Sequence, residues 1–154
     1  MMIGVLGGDP CSDHDSRNAF EAGREIGSRG HVLVCGGRGG VMREACRGAR
    51  ETGGHTIGIL PGDDIGEANE FVEFPVATGL GHARNLIVVR TSEALIAVGG
   101  RYGTLSEIAF ALIHARPVAG LATWELTDPS GDFVPIVPFA TAQEAVDYCE
   151  QFAT

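Results

Sequence analysis

Ala94-Leu-Ile-Ala-Val-Gly-Gly-Arg-Tyr-Gly-Thr-Leu-Ser-Glu107 decides the fold, because a short apolar run there ends in glycines and a helix signal follows at once. An apolar run of that length bounded by glycine suits a strand buried on both faces. Thr104-Leu-Ser-Glu107 matches the Ser/Thr-x-x-Glu capping box that opens helices, which predicts a helix reaching about Ala115. Strand, tight turn and helix in this order make an anion site at the carboxyl end of a strand: the first N–H groups and the positive dipole end of the helix point into the turn.

Working outward, the same pattern recurs. Met2 to Gly8 reads as a first buried strand ending in glycine, with a loop over Asp9 to Asp15 and a helix to about Arg29. Asp9, Ser12, Asp13 and Asp15 fit turn and N-cap roles better than ligand roles. A second strand, His31 to Cys35, runs into Gly36-Gly-Arg-Gly-Gly40 and a helix from Val41 to about Thr52. Glycines there let the backbone approach a ligand, and Arg38 stands where a phosphate would meet both a guanidinium and a helix N-terminus. Thr56 to Leu60 is the third strand, the acidic stretch Asp63 to Glu70 a rim loop, and Phe71 to Val76 a short fourth strand. Leu86 to Arg90 suits a helix, with Arg84 and Asn85 near its start. Pro117 to Leu121 is a further strand and Ile136-Val137 an edge strand, with the polar loop Thr123 to Val134 between them. Thr141 to Glu144 is a second capping box, opening the closing helix. The alternation predicts an α/β fold: one doubly wound, mainly parallel, Rossmann-like sheet with helices on both faces, forming a single domain over residues 1–154.

Composition narrows the chemistry. With 154 residues, 44% of them hydrophobic, the chain buries a sizeable core but is short for two domains. No run of eighteen apolar residues occurs and no basic leader precedes the first strand, so neither membrane span nor secretory signal is expected, and a cytoplasmic location is. A formal net charge of −9 repels polyanions and argues against nucleic acid as a partner. All 11 basic residues are arginine. Without lysine there is no Schiff base to pyridoxal, hence no lysine decarboxylase chemistry, and no Walker-type phosphate lysine. The 4 cysteines and 5 histidines lack metal-ligand spacing, so reduced thiols and no metal site are expected.

Four segments carry a family resemblance: Val34-Cys-Gly-Gly-Arg-Gly-Gly-Val-Met42, Gly58-Ile-Leu-Pro-Gly-Asp-Asp64, Thr78-Gly-Leu-Gly-His-Ala-Arg-Asn85 and Gly99-Gly-Arg-Tyr-Gly-Thr-Leu-Ser-Glu107. Together they resemble the Rossmann-like LONELY GUY phosphoribohydrolases, often mislabelled lysine decarboxylases, and more closely the short bacterial branch that includes molybdenum-cofactor-carrier-like proteins. The resemblance implies hydrolysis of the N-glycosidic bond of nucleoside 5′-monophosphates, with Arg84 and Glu107 as catalytic pair. It implies a homodimer or larger even homo-oligomer, to which the apolar row Leu86-Ile-Val-Val89 also points, and no required cofactor. The expected ligand is a small phosphorylated molecule, either a nucleotide or, in a non-catalytic carrier, a phosphorylated pterin such as molybdenum cofactor. Its predicted binding residues are Gly7, Gly8, Gly36, Gly37, Arg38, Gly39, Gly40, Met42, Gly99, Gly100, Arg101, Tyr102, Gly103 and Thr104. Three positions depart from the family pattern: Gly99 and Arg101, where Gly99-Gly100-Arg101 replaces Pro-Gly-Gly, and Asn85, which replaces a lysine. Placed in the first turn of its helix, Glu107 is expected to stay ionised at neutral pH.

Overall fold

The computed structural model describes residues 1–153. Its strands are β1 (Met2–Gly7), β2 (Val32–Cys35), β3 (His55–Leu60), β4 (Phe74–Ala77), β5 (Ala94–Val98), β6 (Val118–Leu121) and β7 (Ile136–Pro138). Its α-helices are α1 (Asp13–Ser28), α2 (Val41–Glu51), α3 (Arg84–Thr91), α4 (Tyr102–Ile113) and α5 (Ala142–Glu150). The strands form one sheet in the order β4-β3-β2-β1-β5-β6-β7, and every neighbouring pair is parallel. This is the expected doubly wound architecture.

Residues of period two divide the core between the two faces. Ile3 and Val5 of β1, Leu33 and Cys35 of β2, and Ile96 and Val98 of β5 pack beneath α1, α2 and α5. Leu6, Val34, Leu95 and Ala97, their neighbours in sequence, face α3 and α4 through Val88, Val89, Ile108 and Ala111. A strand covered on both sides has no polar face, which is why β5 is buried at every residue. Helices α1 and α2 cross at glycines: a Cβ at Gly23 would lie 2.0 Å from Ala45 O, and one at Gly48 2.1 Å from Phe20 O.

The order places β1 at the switch point, since the chain proceeds outward to β2 on one side and to β5 on the other. Adjacent connections therefore diverge above the carboxyl ends of β1, β2 and β5, and a crevice opens there. The capping box at α5 is present in full, Thr141 accepting from Glu144 N and Glu144 from Thr141 N. The one expected at α4 is not. That helix starts at Tyr102 with Arg101 as N-cap and no side-chain cap, so Thr104 and Glu107 lie inside it. The cause is the turn: Gly99 and Gly100, at φ 51 and 99, reverse the chain directly after β5, so the N-cap position falls on Arg101, whose guanidinium has no acceptor for the helix N–H groups.

Candidate functional site

The crevice is a cavity of about 310 Å³, and elements from both sides of the switch point build it. Gly7 and Gly8 end β1, Gly36 and Arg38 follow β2, Met42 lies in α2, and Arg101, Gly103 and Thr104 come from the turn into α4. Arg84 and Asn85 open α3, and Glu107 projects from α4. Gly7 is required by packing: a Cβ there would sit 2.3 Å from Val41 Cγ1, so its absence lets α2 start directly against β1. Gly36 is required by the site, because a Cβ would fall 2.0 Å from Arg84 Nη1.

Other predicted binding residues serve the turns from behind. Gly37 packs on Gly58 and Leu60, Gly40 on the Gly8 carbonyl, Gly39 against the Asp9 carboxylate and Gly99 against that of Asp15. Gly100 lines a neighbouring cavity of about 340 Å³, shared with Cys11, Ser12 and Asp15 and separated from the first by Gly8 and Arg101. Tyr102 does not line either cavity; 81% exposed, it packs at 6.3 Å from the Trp124 ring. The crevice also takes in Asp9, Pro61 and His82, which were not among the predicted site residues. Asp9 reads as a turn residue in sequence, and only the approach of Gly39 to its carboxylate reveals its place.

At the floor of the crevice Arg84 Nη1 stands 4.0 Å from Glu107 Oε1, their side chains 11% and 8% exposed. This is charge proximity without a hydrogen bond. Arg84 Nε is buried and has no hydrogen-bond partner among the described residues. Burial pushes the Glu107 carboxyl up to about 8, and the attraction of Arg84 offsets only part of that. Burial lowers Arg84 from the ordinary arginine value while Glu107 pulls it back up, and a guanidinium keeps its proton regardless. Burial thus biases Glu107 toward its protonated form near neutral pH, against the expectation of an ionised group: its place inside α4 outweighs the helix dipole.

Asn85 donates from Nδ2 to Ser106 Oγ at 3.0 Å, and Ser106 Oγ donates to Gly103 O at 2.6 Å. That relay fastens the start of α3 to the first turn of α4 and so fixes Arg84 relative to the turn's N–H groups. Behind the second turn, Cys35 Sγ accepts from Gly37 N at 3.3 Å and lies 3.5 Å from Cys46 Sγ. All four cysteines are free thiols, and no group of His, Cys, Asp and Glu among the described residues is arranged to hold a metal ion.

A family model described as the SLOG cluster4 family matches residues 1–146. The chain belongs to that family. It is 44% identical over 150 residues to a protein of Archaeoglobus fulgidus, covering 97% of this chain and 94% of the other. It is 31% identical over 132 residues to the cytokinin riboside 5′-monophosphate phosphoribohydrolase LOG of rice (Oryza sativa subsp. japonica), covering 75% of this chain. The SLOG cluster4 chain spans 52% of that plant enzyme's length. Among solved structures it is similar to the molybdenum cofactor binding protein of Rippkaea orientalis, at 34% identity and a TM-score of 0.89, covering 99% of this chain and 97% of that one. It is likewise similar to the Moco carrier protein of Chlamydomonas reinhardtii, at 37% identity and a TM-score of 0.85, covering 98% and 96%. No helix among the described residues is long and apolar enough to cross a membrane.

Proposed function

We propose that the crevice binds a small phosphorylated ligand and that, when this is a nucleoside 5′-monophosphate, the protein hydrolyses its N-glycosidic bond. The observation that carries the reading is the buried Arg84–Glu107 pair at 4.0 Å, set between two glycine turns that open helices. The phosphate meets the first N–H groups of α4 and the guanidinium of Arg101, with Arg38 across the crevice. Arg84, which lines the crevice, offers its guanidinium to a ligand oxygen. Protonated Glu107 gives its proton to the departing nitrogen of the base as the C1′–N bond breaks, the bonding pair leaving with the base. Water adds its oxygen to the oxocarbenium-like C1′, its released proton restores Glu107, and the products are free base and ribose 5-phosphate.

A second reading has its own support. Arg101 at the N-cap puts a large cation where the phosphoribohydrolase motif has glycine, and the two carrier-type structures match the chain from end to end. The three crevice arginines and the α4 turn fit the phosphate arm of a pterin cargo as well as that of a nucleotide.

Calorimetry on the purified protein tests what both readings share. Adenosine 5′-monophosphate should bind at least tenfold more tightly than adenosine, and inorganic phosphate should compete. Equal affinity for nucleoside and monophosphate would overturn the phosphate cradle.

A further inference from the structure

Arg38 faces the crevice, yet its guanidinium is already engaged: Nη1 donates to Glu67 Oε2 at 2.7 Å. Glu67 comes from the rim loop, 29 residues away in sequence, and its carboxylate has a seat prepared for it. A Cβ at Gly62 would stand 2.5 Å from Glu67 Oε1, so the absence of a side chain at 62 is what admits the carboxylate. A second tether holds the same loop without charge. Asn69 N donates to Gly37 O at 2.9 Å, and Asn69 Nδ2 donates to Arg38 O at 2.8 Å. The loop would therefore stay attached to the glycine turn if the ionic contact were lost.

We propose that Glu67 is a specificity-determining residue: a built-in competitor that occupies Arg38 until a phosphate with greater negative charge displaces it. This rests on the phosphate-binding reading above. Ligand binding then exchanges an internal ion pair for one to the ligand. A neutral or weakly acidic molecule of similar shape gains nothing from Arg38, because it cannot outbid a carboxylate for it. Asn69 keeps the loop anchored while the short turn Ile65–Glu67 moves aside.

The test is calorimetry of inorganic phosphate and of adenosine 5′-monophosphate on the full chain. Glu67→Gln keeps the shape and removes the charge, and should tighten both ligands about two- to fivefold, the scale of an exposed ion pair. Gly62→Ala, which pushes the carboxylate off its seat, should act in the same direction. In an Arg38→Ala background, Glu67→Gln should bring no gain. A wild-type protein that binds while Glu67→Gln leaves affinity unchanged or weaker would overturn this inference alone. So would a gain that persists without Arg38, since that would be general charge repulsion. Failure of the wild type to bind either probe would overturn the phosphate reading and this inference together.

Discussion

Glu107 shows what a single buried carboxyl does to the whole balance. Its folded-state pKa is raised above the unfolded value, from 4.5 to about 8, by burial. The sign follows: the fold holds a proton that the unfolded chain releases. The stabilising contribution is complete below pH 4.5, declines by about 1.4 kcal/mol per pH unit up to pH 8, and is gone above it. Denaturant unfolding from pH 5 to 8 should therefore show a falling stability in wild type relative to Glu107→Gln, with the two curves running parallel above pH 8. Parallel curves throughout would mean that Glu107 is ionised in the folded protein. The identity of this residue is legible in sequence, through its spacing from the glycines, but its protonation is not. That depends on the burial of the carboxyl in the folded protein, offset only in part by Arg84, 23 positions earlier in sequence. For the same reason the Arg38–Glu67 pair, joined across a connection through β3, leaves no local signature.

At the scale of elements, apolar runs ending in glycine located β1, β2 and β5, β4 starts at Phe74 rather than at the expected Phe71, and most helix ends fell within a few residues of the expected ones. The exception was the start of α4, where the capping-box pattern was misleading. Thr104 instead turns inward, so that a Cβ at Gly100 would lie 2.4 Å from Thr104 Oγ1. The true capping box at Thr141 has the same pattern, but there the threonine itself is the N-cap, whereas at α4 that position is Arg101 and Thr104 lies inside the helix. Helix contacts were also hidden. The closest approach in the α1–α2 crossing depends on Gly23 and Gly48, which sequence reading treats as weak helix residues. Gly48→Ala should raise helix propensity yet destabilise the protein by about 1–3 kcal/mol, because the added methyl meets the Phe20 carbonyl. A thermal scan showing equal or higher stability would refute that packing argument.

For the molecule as a whole, the alternating pattern was enough to expect a crevice where carboxyl-end turns of neighbouring strands meet, and one lies there, because parallel sheets covered on both faces admit few other arrangements. The apolar row on α3 is only partly absorbed by the sheet. Val88 and Val89 are buried, Leu86 and Ile87 are half-buried, and Ile113 on the adjoining α4 is 72% exposed. We propose that this outer face pairs across a two-fold axis. Light scattering at micromolar concentration should give a dimer or a larger even assembly, and a monomer would remove the proposal. The central claim is that Arg84 and Glu107 make the proposed phosphate-binding crevice a reaction site. Its most direct measurement is release of free base and ribose 5-phosphate from a panel of purine and pyrimidine 5′-monophosphates, with wild type and Glu107→Gln side by side. The account predicts release by wild type, a rate that falls as pH rises through about 8, and a loss of about 10²-fold or more in the variant. Wild-type protein that binds a monophosphate and releases no base would contradict it and leave a carrier.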